Sequence, residues 1–102
     1  MEYKVLHKPS GLYWKGGGMN KNNKSYSSIK IKNADGKWEY IHYDKNSQDH
    51  ALLICFSKTG KTWSGLGPVK TALGYGHEPG LNDLLKSCIL VELTSNIKEI
   101  KL

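Results

Sequence analysis

Gly60-Lys61-Thr62 is the tail of a phosphate-binding P-loop signature, and it sits in the stretch CFSKTGKTW, Cys55 to Trp63. A P-loop cradles the phosphates of a nucleoside triphosphate on backbone N–H groups and uses its lysine as counter-charge. It needs a further glycine five positions before the glycine of GKT. That position is Cys55. The loop must also join a parallel strand directly to a long helix. Here the turn runs into Thr62-Trp63, and a helical pattern begins only several residues later. The stretch reads as a hairpin turn that happens to spell GKT, not as a nucleotide site.

Other residue types that do chemistry are equally scattered. The four histidines are His7, His42, His50 and His77, and none stands at metal-ligand spacing from another histidine or a cysteine. There is no GxSxG nucleophile elbow. Cys55 and Cys88 lie inside the apolar runs LLICFS and SCILVE, with no CxxC partner. They read as buried thiols of a reducing compartment. A disulfide between neighbouring strands is the alternative. No pair among the nine acidic residues is marked out for acid–base work. The expectation is a protein with no catalytic residues, no metal and no cofactor.

The elements that must position any site follow from length and pattern. At 102 residues the chain is expected to be one domain, 1–102, with a single core. "EYKVLHK" and "LYWK", joined by Pro9-Ser10-Gly11, read as an N-terminal hairpin. "GGGMNKNNKS", Gly16 to Ser25, is a long polar loop. "YSSIKIKN" alternates Ile29 and Ile31 against Lys30 and Lys32. "WEYIHYD" alternates Trp38, Tyr40 and His42 against Glu39, Ile41 and Tyr43. Asp35-Gly36 between them favours a tight hairpin turn. "ALLICFS" is a continuous apolar run and reads as a central strand buried on both faces. "LGPVKTALGYG" has Pro68 in a first-turn position and Val69, Ala72 and Leu73 on one face of a short helix. "HEPGLNDLLKS" places Leu81, Leu84 and Leu85 at helical spacing. "CILVELTS" closes the chain as a strand, and "IKEIKL" extends it or forms an edge. The expected class is α+β: an antiparallel sheet of about five to six strands, with one or two short helices in the C-terminal half.

Charge bears on partners. The net charge is +6, and all 15 basic residues are lysine. Arginine is the residue for forked contacts to phosphate and guanine; lysine is a point charge. An all-lysine excess suits diffuse attraction to polyanions or plain solubility better than base reading. It equally fits the codon bias of an AT-rich genome. The opening Met1-Glu2-Tyr3-Lys4 leads straight into a strand pattern, so no leader is expected. The longest apolar stretch, ALLICF, is far short of a membrane span. The expected location is the cytoplasm.

Aromatics and lysines offer the best candidate surface. Tyr13, Trp14, Trp38, Tyr40 and Tyr43 fall on expected strands, near Lys15, Lys30 and Lys32. Aromatics interleaved with lysines on a sheet are one way to bind single-stranded nucleic acid or nucleotides. Lys21 and Lys24, with Lys15, flank a glycine-rich loop whose N–H groups suit an anion. The candidate binding residues are therefore Tyr13, Trp14, Lys15, Lys21, Lys24, Lys30, Lys32, Trp38, Tyr40 and Tyr43. The same aromatics would serve equally as core and rim.

Three segments carry a resemblance. "HKPSGLYW", "SKTGKTWSGLGPVKTAL" and "CILVEL" resemble a group of small proteins from large virulent tailed phages, in which a short hairpin, a KxGKxW turn running into a GxVKxxL helix, and a closing strand recur. The stretch around Gly16–Lys24 and "YGHEPGLND" lie outside that pattern. The resemblance implies a small, non-catalytic protein that interferes with a host or anti-phage defence function by direct binding in the host cytoplasm, its partner a host or defence-system protein. An RNA- or single-stranded-nucleic-acid-binding protein, using the lysine and aromatic face, is the alternative. A homo-oligomeric sponge for a nucleotide signal is a second.

Overall fold

Alternation in the first strand sets the architecture. In β1, Glu2–His7, the residues Tyr3, Val5 and His7 point into the core, while Lys4 and Leu6 face the other way. The turn after it is closed by Gly11 N–H donating to the His7 carbonyl at 2.8 Å, and β2, Leu12–Trp14, returns antiparallel with Leu6 opposite Tyr13. The structure is a computed structural model that describes residues 1–17, 26–44, 46–94 and 98–100.

A second hairpin follows, β3, Tyr26–Lys32, and β4, Trp38–Asp44. Its turn is organised by Asn33 more than by Asp35-Gly36 alone. The Asn33 side-chain oxygen accepts from the N–H groups of Asp35 and Lys37, each at 3.0 Å, and its carbonyl accepts from Gly36. This pair forms its own two-stranded sheet.

The run read as a central strand is instead mostly helix. α1 spans Gln48–Cys55, and only Phe56–Ser57 is strand, the short edge β5. Length and apolarity do not separate a buried strand from a buried helix. The local signal lay upstream. Ser47 caps the helix by accepting from His50 N–H at 3.1 Å, and Asp49 sits in the first turn, where the helix dipole favours a negative charge. His50, Ala51 and Cys55 face inward, leaving Leu53 and Ile54 48% and 39% exposed. The described residues thus form three helices where one or two were expected.

α2, Leu66–Gly74, and α3, Pro79–Lys86, fall where the pattern placed them. Pro79 occupies the first helical position, where its missing N–H costs nothing. β6, Cys88–Leu93, pairs along the whole of β1, and β7, Lys98–Ile100, pairs with β6. The main sheet has the order β5-β2-β1-β6-β7 and is antiparallel throughout. β6, beside the middle strand β1, is the strand buried on both faces that ALLICFS was expected to be: Leu90 and Val91 are buried on opposite faces of it. The class is α+β.

One core joins the layers. Tyr3, Val5, Trp14, Phe56, Cys88 and Leu90 of the sheet meet Ala51 and Cys55 of α1, Val69 and Ala72 of α2, and Leu81 and Leu84 of α3. Trp63 completes it from the loop before α2. Its backbone exchanges two hydrogen bonds with Tyr3, at 2.7 and 2.8 Å. No helix among the described residues is long and apolar enough to cross a membrane.

Candidate nucleic-acid or protein interface

The register of the β3–β4 hairpin decides which side chains share a face. Lys30 lies opposite Tyr40, and Lys32 opposite Trp38. Side chains alternate along a strand, so these four stand together on one side of the ribbon. Trp38 is 61% exposed and Tyr40 65%. The ammonium groups of Lys30 and Lys32 lie 5.3 and 5.8 Å from the centre of the Trp38 ring. That is within cation–π range. Among the described residues neither lysine is ion-paired; the two salt bridges are Lys8–Glu99 and Lys86–Asp83.

The rest of the expected surface separates. Trp14 is a correction: it is fully buried, and its indole N–H donates to the Gly17 carbonyl at 2.8 Å. It stacks near Trp63, ring centres 5.7 Å apart, and meets the edge of His77 at the same distance. The strand β2 alternates, and Trp14 takes the inward position while Tyr13 takes the outward one. Tyr13 is half-buried on the far side of the main sheet, with the Lys4 ammonium 5.0 Å from its ring centre. Lys15 is exposed, and its ammonium reaches the Ile54 carbonyl at 3.5 Å. These three belong to the main sheet and the loop after it, not to the hairpin. Lys21 and Lys24 lie outside the described residues. Tyr43 is in β4, opposite Ser27, and takes the register parity opposite to Trp38 and Tyr40. Lys4 joins Tyr13 on the far side of the main sheet although it is not among the expected binding residues; the alternation of EYKVLH turns it outward beside β2.

The GKT stretch is architecture. Gly60 has φ +61° and packs on the β-carbon of Tyr13 and the Trp14 carbonyl. Its N–H donates to Ser57 Oγ at 2.8 Å, and Lys61 N–H donates to the Trp14 carbonyl at 3.0 Å. Lys61 then lays its ammonium 4.2 Å from the Trp63 ring centre. The preceding strand β5 is antiparallel, and α2 begins only at Leu66. The turn ties the sheet edge to the core and has no helix N-terminus behind it.

Cys55, Cys88 and His7 are shielded or hydrogen-bonded. Burial pushes the Cys88 thiol up to about 12, and it raises Cys55 too, outweighing the nearby Lys15 charge. Both sulfurs are buried thiols, and such groups are poor nucleophiles. His7 Nδ1 lies 2.7 Å from Ser10 Oγ, but that oxygen also accepts from Leu12 N–H at 3.2 Å. The pair closes the β1–β2 turn, and burial holds the His7 imidazole below its ordinary value. Among the described residues no group of three His, Cys, Asp or Glu side chains is placed to hold a metal ion. A shallow groove of about 370 Å³ between α2 and α3, lined by Leu73, Asn82, Leu85 and Lys86, has the Lys86 ammonium paired with Asp83 at 3.5 Å.

No family model, curated protein or solved structure matches the chain.

Proposed function

We propose that this is a small, non-catalytic binding protein of the phage type, that it interferes with a host or defence component by occupying it in the host cytoplasm, and that the open face of β3–β4 is its recognition surface. One observation carries the reading. Trp38 and Tyr40 stand side by side, more than half exposed, on a ribbon whose same face offers Lys30 and Lys32. Large aromatics are the residues that most often anchor interfaces, and water-exposed ones serve no core. The phage setting comes from the resemblance of the segments at 7–14, 57–73 and 88–93. The hairpin lies outside those segments, which suits a shared scaffold with a recognition element of its own.

The test is recovery of a stoichiometric component with tagged protein from the host cell, for the wild type and for Trp38→Ala/Tyr40→Ala. The expected result is retention by the wild type and loss by the double variant, with unchanged melting temperature. Retention by both forms would remove the hairpin from the site.

A further inference from the structure

We infer that the Lys30–Lys32–Trp38–Tyr40 face is a binding platform for a single-stranded polynucleotide, with Trp38 and Tyr40 stacking bases and the two lysines meeting phosphates. This rests on the binding reading above and names the partner's chemistry.

Several features favour a polynucleotide over a protein. The face pairs a cation with a ring at each step: Lys32 opposite Trp38, then Lys30 opposite Tyr40. Successive same-face residues on one strand are about 6.8 Å apart, so ring and charge recur at a spacing an extended strand can follow. Of the nearby acids, Glu39 has the opposite parity, Asp35 lies in the turn, and Asp44, which has the matching parity, stands at the far end of the ribbon opposite Tyr26. Protein interfaces favour arginine and disfavour lysine, whereas this chain has no arginine at all. Stacking on aromatics tolerates any base, so lysines that read no base edge are sufficient.

A single strand also fits better than a duplex. In a duplex the base faces are already stacked, and the groove edges need forked or amide side chains that this face lacks. In the free protein the lysine ammonium groups rest near the Trp38 ring. On binding they move to phosphates, and a base takes the ring.

Trp38 supplies the readout. The other two tryptophans, Trp14 and Trp63, are 0% and 6% exposed, so quenching by a ligand reports on Trp38. The experiment titrates full-length protein with fluorescein-labelled oligo-U, oligo-dT, a duplex of equal length and a poly-glutamate peptide, at several salt concentrations, following Trp38 emission in the wild type and the label's anisotropy in every form. The expected result is quenching by a single strand, with log K falling against log salt with a slope of about −1.4 for two phosphate contacts. Oligo-U against oligo-dT tells an RNA source from a DNA one, and binding of either supports the platform. Trp38→Ala should weaken binding by about 5- to 150-fold, and Trp38→Phe should restore most of it. Lys30→Glu/Lys32→Glu should abolish it. No single-strand binding at low salt would overturn the inference. So would binding that leaves Trp38 emission and all variants unchanged, which is diffuse polycation behaviour. Binding of poly-glutamate alone, lost in Trp38→Ala, would overturn it and leave the hairpin as a surface for an acidic protein. A host component captured independently of Trp38 and Tyr40 would instead defeat the binding-surface reading.

Discussion

Replacing Gly60 by alanine separates a structural GKT turn from a functional one. Two costs add at this position. An L-residue at φ +61° is in the left-handed region, worth roughly 1–2 kcal/mol against it. The new β-carbon would also overlap the Tyr13 β-carbon and stand 2.9 Å from the Trp14 carbonyl oxygen. That carbonyl accepts the Lys61 N–H, so the strand cannot yield without straining this bond, worth about 0.5–1.5 kcal/mol net. The expected destabilisation is about 2–4 kcal/mol, or roughly 10–25 °C in melting temperature for a domain of this size. Gly11 supplies the control. It has φ +72° in another turn of the same sheet, but nothing lies within 4 Å of its would-be β-carbon. Gly11→Ala should show the conformational cost alone, about 1–2 kcal/mol. Urea unfolding followed by tryptophan fluorescence measures both, because Trp14 and Trp63 report the core. Equal losses in the two variants would refute the packing role assigned to Gly60.

Three further outcomes follow from the core and its edges. His7 has a depressed pKa in the fold, so the unfolded chain binds its proton first as pH drops. The His7 contribution is complete above pH 6.5, its ordinary value, and is lost as pH falls from there through the folded value. Urea midpoints measured from pH 7.5 to 5.5 should decline, and His7→Gln should flatten that decline. With Cys88 pushed up to about 12 and Cys55 also raised, a thiol reagent at pH 8 should leave both unlabelled in the native protein and label both after unfolding; rapid native labelling would contradict their burial. Ser47→Ala removes the cap of α1 and should cost about 1 kcal/mol in urea unfolding; no loss would question the helix assigned to ALLIC.

The strands with regular alternation were legible from the sequence: β1, β3 and β4 lie where the pattern put them, and the apolar run CILVEL is also the strand it was read as, β6. So were α2 and α3, whose leucines and Val69 keep helical spacing. The ALLICFS error has a physical source. A fully apolar run carries no period, and only the cap chemistry at Ser47 and Asp49 distinguishes helix from strand there. The candidate surface was half legible. Which aromatics are core depends on pairing between distant strands, and Tyr13-Trp14 shows it: adjacent residues, one buried under the helices, the other turned away. No local pattern says which of the two the fold will cover.

Among the described residues the same chemistry, lysine against an aromatic ring, occurs in three places, and exposure sorts architecture from opportunity. Lys61 covers Trp63, a ring already 94% buried, and the contact completes a wall of the core. Lys4 lies by Tyr13, but its ammonium also donates to the Thr59 carbonyl at 2.7 Å, so it fastens the turn that carries Gly60. Lys30 and Lys32 meet Trp38 on a two-stranded ribbon outside the core cluster. A lone hairpin of two strands is marginal in water unless something packs on it. Here its turn is held by Asn33, and neither Trp38 nor Tyr40 contributes to the core. These two large rings are therefore open to solvent, and what they add to the fold is confined to the cross-strand pairs of the ribbon, about 0.2–1 kcal/mol each. A ring that supports only the ribbon and not the core is expected to be replaceable without loss of the main fold. Loss of binding on such a replacement would then be a statement about the surface itself.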